Sequence, residues 1–222
     1  MFLHWIVILW SYLPAFFYAD QPVFKLGHES LTSFISRSMI YPDYSKDHCI
    51  QGTIQIGFKL DRTGKVVESR VQRGYGIDLD KEALRIVRLT SSRWIVPASF
   101  DIRTEIVLPI NFSLKEFKCE EQSTDDISLA IRTYKAKEDL TKAVVNFYQK
   151  KSAGGAYNAN DEERVLQLKV ELGYNDKFID RLLKKAQIEL KQGDKESACE
   201  DFHMVKGLGS DKADALITKN CR

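Results

Sequence analysis

The sequence predicts an α+β protein: an antiparallel three-stranded sheet with one packed helix, followed by an all-α region. Two observations carry that expectation. Between residues 52 and 114 apolar side chains recur at every second position, except for one short stretch where they recur at every third or fourth. Period two marks strands with one buried face, and the longer period marks an amphipathic helix. After Cys119 the alternation stops, and helical spacing with closely mixed lysine and acid replaces it.

Along the chain, residues 1–19 are mostly apolar, contain Pro14, and end at Ala19 before the polar Asp20 and Gln21. The apolar centre and the small residue before a polar start identify a cleaved signal peptide. An N-terminal membrane anchor is the alternative, because the opening residues carry no lysine or arginine and Phe17 is a poor residue three positions from the cut. Spanning needs about 20 apolar residues, and Pro14 breaks this run. A helix is expected from about Glu29, and Ile40, Tyr41 and Pro42 close the apolar segment before the first strand.

In that first strand Ile54, Ile56, Phe58 and Leu60 share one face. Asp61, Arg62, Thr63 and Gly64 then form a turn whose glycine supplies a positive φ. In the second strand Val67, Ser69 and Val71 lie on one face and Val66, Glu68 and Arg70 on the other, and the pattern does not say which is buried. Leu79, Ala83, Ile86 and Val87 form a helical stripe, with Lys81, Glu82, Arg85 and Arg88 turned mostly to water. The third strand, residues 103–114, alternates through Ile106, Leu108, Ile110 and Phe112. Pro109 cannot donate a ladder hydrogen bond, which places this strand at an edge. An edge can accept a strand from another protein. The proline and the charges equally suit an edge that is only protected against aggregation.

In the second region Ser123 or Thr124 caps a first helix, and a second runs through Leu140, Val144, Val145, Phe147 and Tyr148 to a break at Gly154 and Gly155. No strand precedes those glycines and no Gly-Lys-Ser/Thr comes after them, so they are a connector and not a phosphate loop. Residues 178–221 hold two or three helices, punctuated at Gly193 and at Gly207 to Gly209.

Composition narrows the function. The chain has 222 residues, 44% of them hydrophobic, and a formal net charge of +2. That balance provides no concentrated basic face for nucleic acid. No Gly-x-Ser-x-Gly, His-Glu-x-x-His or dinucleotide motif is present, so no enzyme and no cofactor is implied. Glu162 with Glu163 and Asp125 with Asp126 sit at helix starts, where the helix dipole accounts for them. His48 beside Cys49, and Cys199 close before His203, lack the paired cysteines of a zinc site, and no metal is expected. Four cysteines suit an exported protein, and the preferred pairing keeps each bridge in its own region: Cys49 with Cys119, and Cys199 with Cys221.

Six segments carry a family resemblance: Tyr41 and Pro42; the strand from Gly52; the turn at Gly64; the helix of Leu79, Ala83 and Leu84; Trp94 and Pro97; and the strand of Leu108, Pro109, Ile110 and Phe112. In this order, over residues 41–114, they resemble the C-terminal domain of TonB. The expected organisation is a TonB-like domain at 28–117 and a helical domain at 123–222. In the latter Ala186, Leu190, Gly193, Ala198, Phe202 and Ala213 resemble a tetratricopeptide or Sel1-like unit.

The resemblance implies a periplasmic protein-binding module that pairs with the N-terminal segment of an outer-membrane TonB-dependent receptor. Here the edge would be carried by Arg103, Glu105, Ile106, Leu108, Ile110 and Phe112. TonB itself has an inner-membrane anchor and a long proline-rich linker. From Asp20 to the first helix only about nine residues are available, reaching some 30 Å at most. His4 also precedes Ser11, the reverse of the order in the family's motor-coupled anchor. The expected role is therefore an adaptor in energy-coupled outer-membrane transport. The alternative is an envelope interaction protein that forms a homodimer through the same edge.

Overall fold

The computed structural model describes residues 21–25, 27–115, 117, 119 and 121–221. The signal-peptide or anchor assignment of residues 1–19 lies outside these. In chain order the elements are β1 (Val23–Phe24), α1 (His28–Ser38), α2 (Asp43–Asp47), β2 (Gly52–Leu60), β3 (Val66–Arg73), α3 (Asp78–Leu89), β4 (Trp94–Ile95) and β5 (Ile106–Phe112). They continue as α4 (Thr124–Ser152), α5 (Ala159–Glu171), α6 (Asp176–Gln192), α7 (Lys195–Gly207), a 3-10 turn (Asp211–Ala213) and α8 (Asp214–Asn220). Among the described residues no helix is long and apolar enough to cross a membrane.

The main sheet is antiparallel with order β3-β2-β5, and β1 and β4 form a separate two-stranded ribbon. Ile54, Ile56, Phe58 and Leu60 are fully buried, as period two requires, and α3 packs Leu79, Ala83, Ile86 and Val87 against them. The undecided face of the second strand is settled by a bulge. Leu60 pairs with Val66 but Lys59 pairs with Glu68, so Val67 is an extra residue. The insertion reverses parity: Val66 joins Val71 on the core, while Val67 stays 59% exposed.

Gly64 closes the hairpin at φ 81°, where an L side chain is strained, and a Cβ there would collide with the Trp94 carbonyl. The turn is held by Asp61, whose carboxylate accepts from the Thr63 and Lys65 amides at 2.8 and 3.0 Å. Trp94 lies between Phe24 and Phe58, with ring centroids 5.5 and 5.4 Å away, and its indole donates to Thr90 Oγ1 at 2.9 Å.

Residues 124–152 form one helix of 29 residues, where the sequence suggests two. Ser123 caps it in a reciprocal box with Asp126. Its two ends serve different cores. Ala130, Ile127, Ile131 and Tyr134 pack on the sheet cluster, whereas Val144 and Tyr148 join Ile179, Ala186, Ala198, Phe202, Val205 and Leu208 in a second cluster. Gly207 and Gly209 let α7 approach α4 there, since a Cβ at either would meet Val145 or Tyr148.

Two disulfides are present, Cys49–Cys119 and Cys199–Cys221, with sequence separations of 70 and 22. The first closes because β5 runs antiparallel beside β2 and returns the chain to α2. On the chain-entropy account loops of these lengths add about 4 and about 3 kcal/mol of stability.

Replacing Gly64 with Ala is expected to lower unfolding stability by about 2 kcal/mol or more, through φ strain and the Trp94 collision. Urea denaturation reads this directly, and a midpoint unchanged from the parent chain would contradict the role given to the turn.

Candidate protein-binding site

Among the described residues the sheet ends in two strands, β3 and β5, with no further strand paired outside them, and the two edges differ. On β3 both Val67 and Gln72 are extra residues, because Gln55 pairs with Arg73 but Ile56 with Val71. Bulges bend an edge away from a straight partner strand. On β5 the register runs without a shift from Gly52–Phe112 to Phe58–Ile106. Among the described residues no strand pairs with the outer side of β5.

Pro109 pairs with Gln55 inside this unbroken ladder. It has no amide to donate, so the pair is a non-hydrogen-bonded one. By alternation Val107 and Asn111 share that orientation, and their amides point away from β2. The open edge thus offers two donors, at Val107 and Asn111, and the carbonyls of Val107, Pro109 and Asn111.

The side chains of the expected edge fall in three groups. Ile106 and Leu108 are half-buried, with the uncovered edge beside them, whereas Ile110 and Phe112 are wholly buried and belong to the core. Arg103 and Glu105 lie before the strand, which begins at Ile106 and not at 103. Arg103 is 88% exposed in a turn, paired with Asp101 at 3.0 Å. Glu105 reaches back over the sheet, accepting from Arg70 at 2.7 and 2.8 Å and from Gln72 at 2.6 Å. The Arg70 hydrogen bond in particular holds its carboxyl below the usual range. This strap crosses β2 at Gly57, where a Cβ would occupy the carboxylate's place. Sequence reasoning missed both Gly57 and Val107. A glycine inside an alternating strand is the signal for such a close approach, and Val107, 45% exposed, is an apolar residue on an otherwise polar face.

The remaining motif residues support the sheet. Tyr41 donates to the Ile50 carbonyl at 2.6 Å and sets its ring edge-on to Phe112, and burial pushes its hydroxyl up to about 12. Pro42 precedes the first turn of α2, Gly52 opens β2 where a Cβ would meet the Tyr75 ring, and the Pro97 carbonyl accepts from Arg62 at 3.0 Å. His48 stacks on Tyr44. Cys49 and Cys199 are both bonded in disulfides, which removes their thiolates as metal ligands.

The charged face of α3 departs from expectation. Glu82 and Arg85 are 8% and 6% exposed, and the Arg88 side chain is 9% exposed. Instead of facing water, this face meets α6 and α7. Arg88 donates to Ser197 at 3.0 Å, Glu196 at 2.8 Å and Glu200 at 3.1 Å. Arg85 grips Glu82 through two 2.7 Å bonds, donates to the Ser38 carbonyl at 2.5 Å and reaches Gln192 at 3.5 Å. Glu82 in turn accepts from the Ile40 amide at 2.7 Å. Burial works against the Arg85 charge, but Glu82, aided by Asp194 and Glu189, holds it above its ordinary value.

Residues 37–114 match the family model described as Gram-negative bacterial TonB protein C-terminal. No curated protein and no solved structure matches the chain.

Arg85→Ala leaves Glu82 without its cation and is expected to cost roughly 3–5 kcal/mol of stability. A loss below about 1 kcal/mol in chemical denaturation would show the pair to be dispensable. Glu189, on α6, has its carboxyl raised by burial and then by Asp201 and Asp194. A carboxyl raised in the folded state contributes stability below its unfolded value, and that contribution is lost as pH rises through the folded value. Glu189→Gln should therefore raise Tm at pH 7, with the gain vanishing in acid below the usual 4.5. A gain that persists or grows in acid would reverse this assignment.

Proposed function

We propose that this chain is a periplasmic adaptor of TonB type that captures a protein partner by strand addition to β5, in the service of energy-coupled transport across the outer membrane. The observation that carries the reading is the uncovered, bulge-free edge of β5. It lies within the matched residues, and the family's proteins interact with others such as outer-membrane receptors. The two disulfides suit an oxidising envelope compartment.

The edge sets what it can hold. An incoming strand accepts from the Val107 and Asn111 amides and donates to the carbonyls beside them, while Pro109 leaves one of its acceptors without a partner. Its side chains on the core side meet the exposed parts of Ile106 and Leu108, and those on the other side meet Val107. Backbone bonds supply affinity, and these shallow contacts supply selection.

Substitutions at Ile110 or Phe112 would damage the core, so they do not test the edge. Val107→Pro removes an outward donor and leaves the β2 ladder intact. It is expected to weaken capture of synthetic N-terminal segments of outer-membrane receptors at least tenfold, with Tm within a few degrees of the parent. Unchanged capture by a folded Val107→Pro chain would rule out strand addition at β5. Mass by light scattering separates the reading from self-pairing, since a homodimer through this edge would dissociate on the same substitution.

A further inference from the structure

A cleft of about 530 Å³ lies between α3 and α6, on the side of α3 away from the sheet. Its floor holds the Glu82–Arg85 pair and Glu189, and its mouth carries Ile40 and Ile188, which are 62% and 53% exposed. Arg181 and Lys184 stand beside the mouth. None of these residues belongs to the β5 edge, so the site is independent of strand capture.

The floor is short of cation. Glu189 is 3% exposed; its Oε1 accepts from Lys185 at 2.9 Å, and its Oε2 has no hydrogen-bond partner among the described residues. The same Lys185 ammonium also serves Asp201, at 2.6 Å. Behind the lining residues, Asp194 is 2% exposed and adds negative charge near Glu189 and Arg85; its Oδ1 accepts from the Ser197 amide at 3.0 Å, and its Oδ2 has no partner among the described residues. Arg85 is committed to Glu82, Ser38 and Gln192. A buried carboxylate oxygen without a donor is costly, and a cation supplied from outside relieves that cost.

Lys185 shows what the floor accepts: an ammonium on a flexible apolar stem. Ile40 and Ile188 offer apolar walls for a second such stem. Arg181 and Lys184 select the groups that can lie next to that stem at the mouth. They repel the far ammonium of a free diamine and attract acidic groups. We infer that this cleft is a second partner site, taking a lysine side chain of a polypeptide that carries acidic residues beside that lysine, with its ammonium on Glu189.

The test titrates the full chain with acetyl-Glu-Lys-Glu-amide, with acetyl-Glu-Gln-Glu-amide and 1,5-diaminopentane as comparators, by calorimetry. Saturable binding of the lysine peptide at least tenfold tighter than the glutamine peptide is expected. Glu189→Gln should abolish that difference and leave strand capture at β5 unaltered. Lys184→Glu, an exposed change that does not touch the floor, should weaken the lysine peptide and strengthen the diamine, and it serves if Glu189→Gln does not fold. Absence of binding, equal affinity for the two peptides, or indifference to the substitutions would overturn the inference. Tighter binding of the diamine than of the peptide would assign the cleft to a free polyamine and overturn it as well.

Discussion

Helix α3 is buried on two faces by two different kinds of interaction, and the arrangement of the whole chain depends on it. On one side Leu79, Ile86 and Val87 enter the sheet core, each contributing about 1.5–3 kcal/mol by leaving water. On the other, Glu82, Arg85 and Arg88 carry buried hydrogen-bonded charge to α1, α6 and α7. The first face supplies stability. A buried ion pair offsets its own desolvation only when its groups are hydrogen-bonded, so the second face fixes geometry: the helical region is seated on α3 where Glu82, Arg85 and Arg88 each find partners. Helix α4 reinforces that seat by contributing Ala130 to one core and Val144 to the other.

This joint lies away from the strand edge. The Cys49–Cys119 bridge and the Arg70–Glu105 strap hold β5 against β2, which keeps a straight ladder available at the outer side. An edge that stays flat can be paired, and one that is bulged, like β3, resists it. The two edges of one small sheet thus differ, β3 bulged and β5 in unbroken register, and the helical unit is fastened to α3 on the other side of the sheet core.

Much of this was legible in the sequence, and the failures share a cause. The four apolar residues of β2 alternate without interruption, so their burial followed from period two alone. Val66 and Val67 could not be assigned because a bulge changes parity without changing composition. Glu82, Arg85 and Arg88 read as a solvated face because amphipathicity tells which residues are polar and not what covers them; the covering groups, Gln192, Ser197 and Glu200, are more than a hundred positions away. Residues 124–152 read as two helices because polar residues, among them Lys137, Glu138 and Thr141, interrupt the apolar stripe between Tyr134 and Val144, where the helix passes from one core to the other. The edge itself was announced by Pro109, yet four of the six side chains assigned to it, Ile106, Leu108, Ile110 and Phe112, face the core. A strand's binding groups at an edge are backbone amides, and these follow from register.

The central claim is that α3 joins sheet and helices into one cooperative unit. Differential scanning calorimetry of the oxidised chain tests it most directly. One transition, with the calorimetric enthalpy equal to the van't Hoff enthalpy, is the expected result. Two separate transitions, or a calorimetric enthalpy well above the van't Hoff value, would mean that the helical region unfolds independently of the sheet and that the buried charges of α3 do not join them.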